Sequence, residues 1–187
     1  LSKEKLYEKF KQKAEAVSAE VHRCKSPEEA TDFILKLISE LKDDVGTDMK
    51  TVWSETQLLG DSLKKVEAEQ GVFFGDDIIK EAESSYVGVS QLDVAIAESG
   101  SLGQDATNVL DRMVSSLSTV HVAVLSTNNL VENITDYLTK LNQNVPGYVA
   151  FITGPSRTAD IERVLTIGVH GPERLIVVFV DGGEKSE

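Results

Sequence analysis

The chain has 187 residues, 41% of them apolar, and a formal net charge of −12. That is enough material for one domain with a sizeable core and too apolar for a disordered chain. No run approaches the roughly 20 apolar residues of a bilayer span, so membrane insertion is not expected, and the negative field disfavours nucleic acid and anionic surfaces.

The N-terminal stretch is charged rather than apolar, which gives no signal-peptide core and an expectation of a cytoplasmic location. Its lysines alternate with glutamates and read as a solvated helix face. Leu6, Phe10, Ala14, Val17 and Val21 recur at spacings of four and three, the stripe of an amphipathic helix. His22 and Cys24, two apart on what reads as helix, face different ways and make no metal pair. Cys24 is the sole cysteine, so the chain can close no intrachain disulfide and has no ligand set for an iron–sulfur cluster. Ser26, Pro27 and Glu29 have the pattern of a capped helix start, and Val45-Gly46 ends that helix.

Beyond position 46 the period changes. Strands are expected at 50–53, 72–74, 94–97, 120–125, 149–152 and 175–180, and helices at 55–70, 76–83, 109–117, 129–141 and 159–165. The run Leu175-Ile176-Val177-Val178-Phe179-Val180 has no polar residue, as in a strand buried on both faces of a parallel sheet. The alternation predicts an α/β fold, a three-layer α/β/α domain with a mostly parallel sheet, over 46–187. Residues 1–45 are expected to add an N-terminal helical arm or cap within one structural domain.

Ligands in such sheets bind beyond the strand ends, and three segments there carry candidate residues. The first is Gly154, Pro155, Ser156, Arg157 and Thr158, leading to Asp160. A helix starting there offers free backbone N–H groups to an anion, with the Arg157 guanidinium as a planar partner. The alternative is an ordinary N-cap with Arg157 paired to Asp160. The second is Glu98-Ser99-Gly100: Glu98 is a candidate nucleophile or base, or else a solvated carboxylate on a turn. The third is His170, between glycines on a turn, a candidate acid or donor or else bonded to backbone. His121, beside the strand core, reads as structural. No P-loop, dinucleotide fingerprint, catalytic triad or metal-ligand cluster is present.

Thr153 to Asp160 with Ile161-Glu162, followed by Gly168-Val169-His170-Gly171-Pro172, resembles the C-terminal signature of the lactate utilization protein C family, the LUD domain. Val87-Gly88-Val89-Ser90 and Ala95 to Leu102 are similar to a second signature, with Ser99 and Ser101 where threonines are usual. The resemblance runs from about position 50 to 181. It implies the NagB/RpiA/CoA-transferase-like fold and a part in oxidising L-lactate to pyruvate. Iron–sulfur clusters are then expected on partner proteins, and this chain is expected to bind a small carboxylate or phosphate. Glu98-Ser99-Gly100 is also similar to the Glu-Asn-Gly motif of CoA transferases, but their glycine-rich oxyanion loop is missing. Two other readings stay open: a free-standing acyl-CoA transferase-like or sugar-phosphate isomerase-like enzyme using Glu98, and a metabolite-sensing binding module.

Overall fold

The computed structural model describes residues 1–141, 145–157 and 171–182 in full, and 158–159 and 165–167 as backbone. The first helix, α1 (Lys3–Ala16), starts on Ser2, whose hydroxyl accepts from Lys5 N–H. It buries Tyr7, Phe10 and Ala14: Phe10 and Ala14 belong to the expected stripe, while Tyr7 is buried in place of Leu6, and Leu6 and Val17 are half-buried. It stops earlier than the stripe suggests, because Ser18 turns the chain with φ 70°. Residues Glu20–Cys24 then form a strand, β1. His22 and Cys24 therefore lie in a strand, not a helix, and alternation puts them on one face. His22 stacks near Phe33, while the intervening Arg23 lies over the Tyr7 ring on the other face.

Helix α2 (Pro27–Val45) starts on Ser26, whose Oγ accepts from Glu29 N–H, while the Glu29 carboxylate reaches one residue past the cap to accept from Lys25 N–H. Next come β2 (Thr51–Trp53), a 3-10 turn and α3 (Leu63–Glu67), β3 (Val72–Phe73), α4 (Asp77–Glu81) and β4 (Val87–Gln91). The helix expected over 55–70 is thus two short pieces, broken where Gly60 has φ 49° and ψ −133°. Then follow β5 (Val94–Ile96), β6 (Ser101–Asp105), α5 (Val109–Leu117), β7 (Val120–Ser126), β8 (Leu130–Val131), α6 (Ile134–Leu141) and β9 (Val149–Ile152). The chain continues through β10 (Arg157–Ala159) and β11 (Leu165–Ile167) to β12 (Arg174–Val180).

Two sheets organise these elements. The larger has six strands, all parallel, in the order β1-β12-β7-β4-β2-β3. Its central strands β7 and β12 are apolar along nearly their whole length because both faces are covered. One face packs Val122, Val124, Ile176 and Val178 against Ile34 and Ile38 of α2. The other sets Ala123, Leu125, Val177 and Phe179 against Phe10 and Ala14 of α1 and against the second sheet. Helices α4 and α5 cover the β2 end of that second face through Ile78 and Val114. This is the α/β layering expected from the alternation.

Because β1 is the sheet's edge strand, residues 1–45 are built into the sheet and are not a helical arm attached outside it. The second sheet has four strands, β8-β5-β6-β9, and its β5–β6 and β6–β9 pairs are antiparallel. The strand at 149–152, read as part of the parallel core, is the outer strand here, with Phe151 45% exposed. A third element is an antiparallel ladder of β10 and β11. It replaces the helix expected over 159–165 at both of its ends.

Candidate functional site

Two of the three segments singled out from the sequence leave strands of the small sheet, so the crevice rule for parallel sheets does not govern them. Glu98-Ser99-Gly100 is the tip of the β5–β6 hairpin, closed by Gly100 N–H to the Ile96 carbonyl at 3.0 Å. Residues 153–157 leave β9 at the same end of that sheet. The two tips touch: Ser101 Oγ and Thr153 Oγ1 are 2.7 Å apart. Ser156 N–H bonds the Pro172 carbonyl at 2.7 Å, which brings Gly171-Pro172 alongside as well.

These tips rest on the end of α1. Gly100 has φ +69°, and a Cβ there would come within 2.4 Å of Ala14 N. Gly154 also has φ +69°, and its Cβ would come within 2.4 Å of Val17 O. Both glycines are there because the backbone is left-handed and in contact with another backbone. The Glu98 carboxylate accepts from Ile134 N–H at 3.2 Å, the first free amide of α6. Arg157 donates to Ser18 Oγ at 2.7 Å, on the turn after α1. The structure therefore brings the loops of Glu98, Ser99 and Gly100 and of Gly154, Pro155, Ser156 and Arg157 around one helix end, each charged head with a protein partner. The helix-start rationale for anion binding at Thr158 does not hold, since residues 157–159 are extended. The Thr158 side chain, Asp160 and His170 lie outside the described residues.

Between the sheets runs a buried polar row. Gln104 Nε2 donates to Ser90 Oγ and to the Gln91 carbonyl at 3.5 and 3.4 Å, and Ser90 Oγ lies 2.8 Å from His121 Nε2. His121 Nδ1 and Gln104 Oε1 have no hydrogen-bond partner among the described residues. Complete burial pulls the His121 pKa down to about 4, so the imidazole is neutral near pH 7.

The parallel sheet has its own strand-end feature, outside the three segments with candidate residues. Chain connections diverge at the β2–β4 boundary: β2 leads outward to β3, and β4 leads inward toward β7. At that switch point β2 runs into Trp53-Ser54-Glu55-Thr56, with Trp53 Nε1 donating to Thr56 Oγ1 at 2.9 Å. A cleft of about 310 Å³ opens there between the ends of β2 and β3 and the start of α5. Beside it, burial raises the pKa of Asp111; the charges of Asp105 and Glu55 add to this, while a Ser54 hydrogen bond opposes it. The sequence signal for the cleft is a strand followed by a run of polar residues, a pattern shared with the helix start expected at 55.

The fold and these features define a parallel α/β protein with an accessory antiparallel sheet and a cleft at its strand ends. The LUD domain model matches residues 7–180, and the chain belongs to that family. The match takes in α1, β1 and α2, which the motif likeness alone did not reach. The chain is 35% identical over 112 residues to lactate utilization protein C of Bacillus subtilis (strain 168), covering 57% of this chain and 47% of that protein. It is 29% identical over 164 residues to lactate utilization protein C of Macrococcus caseolyticus, covering 82% and 71%. The chain spans about half the length of most such relatives. A solved structure of a DUF162 family protein from Deinococcus radiodurans superposes with a TM-score of 0.69 at 18% identity, covering 96% of this chain and 99% of that one. That likeness establishes the shared fold. No helix among the described residues is long and apolar enough to cross a membrane.

Proposed function

We propose that this protein serves lactate utilization as a carboxylate-binding component, with the redox centres on iron–sulfur partner proteins. The observation that carries this reading is the family match over 7–180, joined to relatives named lactate utilization protein C. Converting lactate to pyruvate removes two electrons and two protons, one hydrogen from the carbinol carbon and one from its hydroxyl, and the electrons need an acceptor. The chain's one cysteine is a poor thiolate source: Cys24 is buried, and burial pushes its thiol up to about 11.

In this reading the loops at the end of α1 hold the small anion. Arg157 is 2.7 Å from a neutral hydroxyl, and exchanging that partner for a carboxylate yields a charge-assisted bond. Ser99 and the residues of 154–158 supply hydroxyls and backbone amides, and Asp160 and His170 follow in the same segment. Glu98, anchored on α6, positions the hairpin tip rather than acting as a nucleophile.

The test has two arms. The tagged full-length protein from L-lactate-grown cells should co-purify with Cys-rich iron–sulfur proteins, and its deletion should slow growth on L-lactate only. Calorimetry should show L-lactate or phosphate binding weakened about tenfold or more by Arg157→Ala. A protein that purifies alone, with lactate growth unaffected by deletion, would sink the reading. Turnover of a thioester or sugar phosphate abolished by Glu98→Gln would replace it with the transferase-like or isomerase-like one.

A further inference from the structure

The cleft at the end of β2 has a chemistry opposite to that of an anion site. Its floor is apolar: Phe74 and Leu110 are half-buried at its surface, with the fully buried Trp53 and Ile78 beneath them, and the Trp53 and Phe74 ring centroids are 6.3 Å apart and tilted by 31°. Its walls carry Glu55 and Glu67, and no lysine or arginine among the described residues lines it. Neither glutamate is in an ion pair among the described residues. The lysines that follow Leu63 on α3 are engaged elsewhere: Lys64 on Asp61 at 2.7 Å, and Lys65 on Asp32 at 2.6 Å. The volume of about 310 Å³ is at the low end for small-molecule pockets, which run from roughly 300 to 1,000 Å³. The position, beyond the ends of two strands of a parallel sheet, is where such folds present ligands.

We propose that this cleft binds a small organic cation or amine with a flat apolar body, the body against Phe74 and Leu110, above the buried Trp53, and the head between Glu55 and Glu67. Aromatic walls suit a flat or cationic ligand, and two unpaired carboxylates favour a positive head over any carboxylate or phosphate. The site is therefore separate from the Arg157 loop and from the anion assigned to it, and gives the protein two ligands of opposite charge.

Trp53 is the only tryptophan, so its indole resonance reports on this cleft alone. The full chain, labelled with ¹⁵N, is titrated with phenethylammonium and separately with phenylacetate, which shares the ring but carries the opposite charge. Phenethylammonium should shift the Trp53 indole signal saturably at millimolar concentrations, with phenylacetate at least about tenfold weaker. Glu55→Gln and Glu67→Gln, both on exposed positions, should each weaken phenethylammonium by about threefold or more. Leu110→Phe should narrow the cleft and remove the response. No saturable shift, an equal response to phenylacetate, or binding unchanged in the double glutamine variant would overturn the proposal. The readout involves neither lactate nor a partner protein, so its failure leaves the lactate reading untouched, and the reverse holds as well.

Discussion

The two sheets are held in place by different physics. The six-stranded sheet is clamped between apolar layers, and its central strands alternate side chains into two cores at once. The four-stranded sheet has a thinner hold. Its outer strand shows Phe151 to solvent, and its tips sit on α1 by backbone-to-backbone contact at Gly100 and Gly154. Burial by area is forgiving, because several methyl groups share the load. A contact made by the absence of a Cβ is not. The residues that carry the family likeness at 98–102 and 153–157 fall in the second region, where small changes in shape have large consequences.

That contrast gives the largest expected effect. Gly100→Ala and Gly154→Ala should each destabilise the protein by roughly 4 kcal/mol, since a left-handed φ and a clash with α1 backbone add together. Gly182 has a similar φ of +75° but nothing within 4 Å, so Gly182→Ala should cost only about 1 kcal/mol. Urea unfolding of the three variants separates clash from strain. Equal costs for all three would mean that α1 yields easily and the second sheet is loosely docked.

The buried row between the sheets gives a pH-dependent effect. Burial holds the folded-state pKa of His121 down, at about 4 against an ordinary 6.5. Between those values the unfolded chain takes up a proton that the folded chain refuses. Stability should therefore fall as the pH drops from about 6.5 toward 4, by up to about 1.4 kcal/mol per pH unit and roughly 3 kcal/mol in all. In His121→Leu this component should vanish while the carboxylate contribution persists. The difference between the two pH–stability curves is the measurement, and a flat difference over that window would show that His121 finds a proton partner when folded.

The same division explains what the sequence made legible. Apolar runs such as 120–125 and 175–180 and the cap at Ser26 announce themselves through local rules, and the structure has them where expected. The errors occur where a short segment's partner decides its state. Glu20–Cys24 continues a helical stripe by spacing, yet it pairs with β12 and becomes a strand. Val149–Ile152 has the apolar character of a core strand, yet it pairs antiparallel at an edge. Residues after Arg157 carry a helix-start pattern, yet 157–159 pair with 165–167. For the site, glycines, Glu98 and Arg157 were visible as unusual residue types. Their contacts with Ala14, Val17, Ile134 and Ser18 were not, because each spans 36 or more positions of chain. The cleft at Trp53 depends on which strand lies beside β2, and no local pattern carries that information.

The smallest of these effects concerns Glu98. Its carboxylate satisfies the first amide of α6, while Asn133 Oδ1 accepts from Asp136 N–H, so the helix start has two acceptors. Glu98→Ala removes one of them and should cost about 1 kcal/mol, the usual magnitude for a lost cap. Glu98→Gln keeps an oxygen in the same place and should stay within about 0.5 kcal/mol of the parent. Thermal melts of the pair measure the difference. A clear gap between Ala and Gln means that the carboxylate holds the small sheet to α6 and is committed to structure. No gap means that the Ile134 amide does without it, and the carboxylate is then available to whatever binds at the tips of the hairpin.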